Sequence, residues 1–368
     1  MELGLLLNPG HRPGSDLSAA VAWDVELIRW ADELGYREAW IGEHLTVPWE
    51  PVPAPDLVIA QALTQTSTIR LGPSSLNLPL HHPAMVAHRW AFLDQLSQGR
   101  INLGLGASGT LTDWHLYGID GASGQHREMM VESLDAVVRL WTEPGPYESS
   151  GRFWTVNKPG PMVDGFLDFH MQPFQRPHPP IHLSGLSPQS PTLRLCGERG
   201  YAPLSLALNT EYLAELWRTV EQGADTTGAV VDRSSWGIGW DVFVAETDEE
   251  ALRLSLDSGM GAYLGEFWLP MLRGVGLASM YKADPDMSDA DLTPEYYLRH
   301  CALVGSVETV VDKIEESVAR TGGFGTLIQQ GHDFADDRAP LRASMEMLAT
   351  EVMPRVRAAR GVAEGVSR

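Results

Sequence analysis

HHPAMVAHRWAFLDQLSQGRINLGLGASG, residues 81–109, decides how the fold is read. Val86, Trp90, Leu93 and Leu96 recur at helical spacing and make one apolar face. Gly99 ends that helix. Ile101, Leu103 and Leu105 follow as a short apolar strand. Gly104, Gly106 and Gly109 then let the backbone approach a ligand closely, because glycine has no Cβ. Any αβ unit shares this outline, so the remaining chain has to decide the architecture.

Outward from that stretch the unit repeats. Further strands are expected at residues 3–8, 38–43, 69–77, 180–184, 201–206, 236–245 and 324–330. Helices are expected between them, with Ser18 capping the first and residues 55–66, 125–141, 188–197, 210–221 and 340–360 forming others. Strand and helix alternate about eight times and hairpin signals do not dominate, which implies a parallel α/β fold. The count implies a (β/α)8 TIM barrel, with a doubly wound sheet as the alternative from pattern alone. One domain over residues 1–360 is expected, followed by a flexible tail at 361–368. Residues 144–179 and 257–302 are too long for plain connections and read as lids or binding walls.

The net charge of −21 opposes nucleic-acid binding, which needs a basic face. No apolar run reaches the roughly 18 residues of a membrane span. The start, MELGLLLNPG, lacks a basic n-region and reads as a strand. Cys196 and Cys301 are few and far apart, which fits a cytoplasmic protein without a disulfide framework. His81-His82 has no HExxH, CxxC or carboxylate cluster around it, so no metal site is expected.

Barrel active sites lie at the C-terminal strand ends. The polar residues there are Asn8, Glu43-His44, Ser74-Ser75, Asn77, Ala107-Ser108, Ser184 to Ser190 and Ser205. A histidine at a strand end can donate to a developing oxyanion or move a proton. By position alone His44 equally suits a histidine satisfied by neighbouring backbone. Ser187 and Ser190 open a helix, where backbone N–H groups make an anion site or the serines serve as caps.

The chain resembles the flavin-dependent, bacterial-luciferase-like monooxygenases. The resemblance rests on His82-Pro83, on Leu93-Asp94-Gln95-Leu96-Ser97-Gln98-Gly99-Arg100, and on Gly104-Leu105-Gly106. Within that family it looks most like the type II Baeyer–Villiger monooxygenases of the diketocamphane and limonene kind. NPGHRPG at 8–14, SGLSPQSPTLRLCGERG at 184–200, LVGSVETV at 303–310, TGGFGTL at 321–327 and His332-Asp333 carry that likeness. It implies His44 as the catalytic side chain and a non-prolyl cis peptide at Ser74-Ser75 under a flavin ring. Glu43, Ser74, Ser75, Asn77, Gly106, Ala107, Ser108, Gly185, Leu186, Ser187, Ser190, Leu204 and Ser205 are then the cofactor contacts. It also implies reduced FMN supplied by a separate flavin reductase, O2, an apolar small-molecule substrate and a homodimer, with Trp90 and the Trp23/Trp30 face as apolar interface material. A deazaflavin oxidoreductase and a non-catalytic flavin-binding subunit share the barrel; the latter would lose His44. Three positions depart from the family: Leu45 replaces luciferase's second His, His88 stands where Glu is frequent, and Ala107 stands where luciferase places an Arg near the phosphate. Arg127 is a candidate for that charge, or a surface partner of Glu128 or Glu132.

Overall fold

The computed structural model describes all residues except 9, 208, 209, 283, 285, 367 and 368, and leaves aside the side chains of 210, 211 and 360–366. The described residues form eleven strands: β1 Glu2–Leu7, β2 Glu38–Ile41, β3 Arg70–Pro73, β4 Leu76–Asn77, β5 Leu103–Gly106, β6 Ile181–Ser184, β7 Ala202–Leu206, β8 Gly237–Trp240, β9 Val242–Val244, β10 Leu303–Gly305 and β11 Thr326–Gln330. Nine of them form one parallel sheet in the order β3-β2-β1-β11-β8-β7-β6-β5-β4. The two ends of that list, β3 and β4, are consecutive pieces of one chain segment, interrupted at Ser74-Ser75. The sheet therefore closes on itself as an eight-position barrel, the expected architecture.

Leu6, Trp40, Leu204 and Ile328 meet inside the barrel as a separate apolar cluster. They come from β1, β2, β7 and β11 and fill the interior below the strand ends. The main core lies between strands and outer helices, with Trp23, Trp217 and Trp236 wholly buried in it.

Several local expectations change. The first helix, Leu17–Glu33, is capped by Asp16 rather than Ser18, because the Asp16 carboxylate reaches the N–H groups of Ser18 and Ala19. Helix Pro83–Ser97 buries Val86, Trp90 and Leu93 but leaves Leu96 58% exposed. The buried line continues to Ser97, while Met85, Arg89, Phe92 and Leu96 follow the next line round the helix. Trp23, Trp30 and Trp90, expected as interface material, are core. Gln98 and Gly99 both take positive φ where this helix ends. The expected strand 236–245 is split at Asp241, and its second half pairs with β10 outside the barrel. Helices Asp248–Leu256 and Val307–Thr321 were not anticipated; Thr247 and Ser306 cap them. The last helix, Met353–Val366, runs into the stretch read as a tail.

The two long connections behave differently. Residues 144–179 strap the outer helices: Glu132 accepts the N–H groups of Arg152 and Trp154, Phe169 packs on His88, and Gln95 donates to the carbonyl of Gln172. Residues 257–302 pack on the strand ends instead. Their contacts include Tyr263 against Gly10 and Gly259 against Asp333, where an added Cβ would lie 2.6 Å and 1.9 Å from those neighbours. Among the described residues no helix is long and apolar enough to cross a membrane.

Candidate active site

The end of β2 starts the site. The N–H of Gly42 donates to the carbonyl of Leu7, so the next two residues emerge over the barrel mouth. Glu43 is fully buried. Its Oε2 accepts the N–H of Asn77 at 2.7 Å, its Oε1 lies 2.6 Å from His81 Nε2, and its carbonyl accepts from the Asn77 amide at 3.0 Å. The Glu43 carboxylate is thus committed to the protein frame, because a buried carboxylate needs its donors close at hand.

Between those anchors the Ser74-Ser75 peptide is cis, as the resemblance implies. The N–H of Ser74 donates to the carbonyl of Ile41. Ser75 lies against Gly106, where an added Cβ would fall 2.7 Å from Ser75 Cβ and 2.8 Å from its Oγ. Asn77 Oδ1 lies 3.6 Å from the same point. Ser75, Asn77 and Gly106 therefore converge, and the glycine is required by contact.

Next round the barrel, β5 and β6 are paired and each ends in a small-residue turn. Ser108 takes positive φ, and a Cβ on Gly109 would meet nothing within 4 Å. Gly185 has no such freedom; a Cβ there would lie 2.4 Å from Leu193. Leu186 and Ser187 are exposed. Ser190 precedes helix Pro191–Arg199 and makes no side-chain cap bond to it. The Ser184 hydroxyl is buried and has no hydrogen-bond partner among the described residues. A helix start without a side-chain cap, an unpartnered hydroxyl and an open glycine turn fit a phosphate. Of the two carboxylates expected to compete for Arg127, Glu128 pairs with Arg152 and Glu132 holds the strap.

Leu204 forms part of the interior filling beneath these turns. Ser205 is placed otherwise: its hydroxyl accepts from the Trp236 indole at 3.1 Å, toward the outer layer that holds Trp217. Alternation along a strand sends neighbours to opposite faces, so Leu204 and Ser205 cannot both face the barrel interior.

His44 is one-quarter exposed. Its N–H donates to the carbonyl of Val52, its Nε2 lies 3.2 Å from Glu50 Oε2, and its Nδ1 has no partner among the described residues. Glu50 in turn accepts the Tyr263 hydroxyl at 2.7 Å. Trp49, Phe267 and Trp268 surround the Tyr263 ring. An apolar aromatic wall thus stands beside His44.

Sequence reasoning missed a second group of buried polar residues. His11 bridges Asp333 at 2.9 Å and Asp24 at 3.2 Å. Burial alone would lower its pKa, but hydrogen bonds and charge from Asp24 and Asp333 outweigh it and push His11 up to about 9. His332 pairs with Asp241, which also accepts the Tyr297 hydroxyl at 2.6 Å. These ties hold the β1, β8 and β11 ends together. Among the described residues no group of three or more His, Cys, Asp or Glu is placed to hold a metal.

A family model described as luciferase-like monooxygenase matches residues 1–324. The chain is 32% identical to 3,6-diketocamphane 1,6-monooxygenase of Pseudomonas putida, over 97% of this chain and 98% of that protein. It is also 32% identical to limonene 1,2-monooxygenase of Rhodococcus erythropolis, over 96% and 86%. The solved oxygenating constituent of the Pseudomonas putida 3,6-diketocamphane monooxygenase, a type II Baeyer–Villiger enzyme in complex with FMN, superposes with a TM-score of 0.90 at 33% identity, covering 97% of this chain and 98% of that one. The barrel and these matches together place the chain: it belongs to the luciferase-like monooxygenase family.

Proposed function

We propose that this flavin-dependent monooxygenase takes reduced FMN from a separate reductase, uses O2, and oxygenates an apolar small molecule, with a cyclic ketone giving a lactone as the leading case. The observation that carries the reading is the convergence of Ser75, Asn77 and Gly106 at the strand ends, tied through Asn77 to Glu43, the residue before His44, next to the open turn at Gly109 and the helix start after Ser190. When bound, reduced FMN supplies the activation of O2.

The chain's residues divide the remaining work. Ser74, Ser75, Asn77 and Gly106 support the ring, and Leu204 supplies its apolar floor. Ala107, Ser108, Gly185, Leu186, Ser187 and Ser190 wrap the phosphate end, with Arg127 as the balancing charge. Trp49, Tyr263 and Phe267 exclude water, which strengthens every polar interaction inside. His44 donates a hydrogen bond to the oxygen that gains charge as the ketone carbonyl is attacked.

Reduced FMN, oxidised FMN and the deazaflavin cofactor, titrated in parallel, test this reading. Reduced FMN should bind with the highest affinity, and with O2 and a bicyclic ketone should yield lactone. Preferential deazaflavin binding with no O2 uptake would overturn it in favour of hydride transfer. Binding of reduced FMN without oxygenation of any ketone, terpene or aromatic probe would point to a non-catalytic flavin carrier.

The assembly proposed is a homodimer, formed through helices Pro55–Leu63 and Pro83–Ser97. Met85, Phe92, Leu96 and Leu57 stand exposed there and supply an apolar surface. A cytoplasmic location fits two free thiols, of which Cys196 is buried.

A further inference from the structure

We propose that Asn8 is a substrate-binding donor at the barrel mouth: its side-chain amide hydrogen-bonds the carbonyl oxygen of the ketone, and so selects carbonyl-bearing substrates over hydrocarbons of the same shape. The proposal deepens the ketone reading above and rests on it.

Strand register puts Asn8 there. β1 and β2 pair with Leu6 opposite Trp40 and Leu7 opposite Ile41, so Asn8 follows opposite Gly42. Side chains alternate along a strand. Leu6 and Trp40 belong to the cluster inside the barrel, while Leu7 and Ile41 pack in the main core outside it. Asn8 and Gly42 therefore fall on the interior side, one layer above that apolar filling. The contact at Gly42 agrees: an added Cβ there would lie 2.7 Å from Asn8 Oδ1 and 3.4 Å from His44 Nε2. The amide and the imidazole border one point, and glycine keeps that point clear.

The amide has no work inside the protein. Asn8 is half-buried, and its side chain makes no hydrogen bond to another described residue. An amide carries two N–H donors, and a polar group without a protein partner in a largely apolar pocket is what fixes a ligand's orientation. The backbone is held on either side of it. Before Asn8, the carbonyl of Leu7 accepts the N–H of Gly42; after it, Gly10 lies against the Tyr263 ring and the carbonyl of Trp49 accepts the N–H of His11. A donor held in place before the reaction is the kind that stabilises charge developing on a carbonyl oxygen. Strand order assigns the donor to substrate rather than flavin. The ring support, Ser75, Asn77 and Gly106, belongs to the β3/β4 segment and β5, whereas Asn8 stands on β1, beyond β2. The Trp49, Tyr263 and Phe267 wall begins at Gly10 and supplies the apolar side of the same space.

The test uses the full chain with reduced FMN and no O2, so that nothing turns over. Norbornanone labelled with carbon-13 at the carbonyl is the probe; norbornene, the same skeleton without the carbonyl, is its control. Asn8→Leu removes the amide at similar volume, and Asn8→Asp keeps the shape while removing both N–H donors. Isotope-edited infrared spectra should show a lower carbonyl frequency for ketone bound to the wild type than to either variant. Norbornanone affinity should fall about tenfold in both variants, the scale of one lost hydrogen bond. Norbornene affinity should hold in Asn8→Leu, and reduced-FMN affinity in both. An unchanged carbonyl frequency, an equal loss of norbornanone and norbornene affinity, or a loss confined to reduced FMN would overturn the proposal. A wild type that binds norbornanone with the lowered frequency yet forms no lactone once O2 is admitted would contradict the proposed function and leave Asn8 in its role.

Discussion

The carboxylate of Glu43 accepts the backbone N–H of Asn77 at 2.7 Å and so ties the end of β2 to the end of the interrupted strand β3/β4. The same carboxylate meets His81. Glu43→Ala would leave a buried N–H and a histidine without their acceptor. The expected cost is about 3 kcal/mol, the sum of two groups losing a buried partner. Chemical unfolding measures it, and FMN affinity should fall too, since Ser74-Ser75 lies between the two anchors. A change within the roughly 0.5 kcal/mol of an ordinary surface substitution would show that the tie is dispensable.

Two histidines give stability opposite pH slopes. The folded value of His11, about 9, lies above its ordinary 6.5, so its contribution is complete below pH 6.5 and is lost as pH rises through about 9. His182 is driven down to about 3 by burial, with a smaller push from Arg70. The unfolded chain takes up that proton below pH 6.5, so stability falls as the pH drops from 6.5 toward 3. Thermal unfolding across pH should show His11→Gln losing the alkaline slope and keeping the acid one. Parallel profiles for the variant and the wild type would contradict the assignment.

Gly106→Ala should damage cofactor binding more than folding. Its Cβ would lie 2.7 Å from Ser75 Cβ, a distance real contacts avoid. Relief must come from moving Ser75, and overpacking of this kind costs about 1–3 kcal/mol. Reduced-FMN affinity measured by titration should drop about tenfold or more. Wild-type affinity would remove Gly106 from the site.

The barrel was legible in the sequence because strand and helix periods repeat with glycine at the turns. His44 and the cis step at Ser74-Ser75 were legible through family motifs, local runs that survive without knowledge of contacts. Glu50 and Tyr263 were not, since each is unremarkable alone and their hydrogen bond spans 213 positions. His11 and Asp333 meet across 322. Helix Val307–Thr321 did carry a local signal, Ser306 capping Thr309, which the sequence reading passed over. Leu96 and Trp90 exchanged roles, because the buried line of their helix continues through Ser97.

The exposed line Met85, Phe92 and Leu96 gives the dimer a direct test. Phe92→Glu with Leu96→Glu places two carboxylates in that surface, and light scattering should return the monomer mass where the wild type returns twice that. The circular dichroism should be unchanged, since both side chains are exposed. A double variant that stays dimeric would put the interface elsewhere.

The central claim is that His44 carries the polar step of the oxygenation. The most direct measurement is product formed per reduced FMN consumed by His44→Ala, with hydrogen peroxide release and reduced-FMN affinity followed in the same samples. Removing a donor to a developing oxyanion costs about 100- to 1000-fold. The variant should lose product by about that factor, release hydrogen peroxide instead, and bind reduced FMN as the wild type does. Wild-type product yield from His44→Ala would contradict the account.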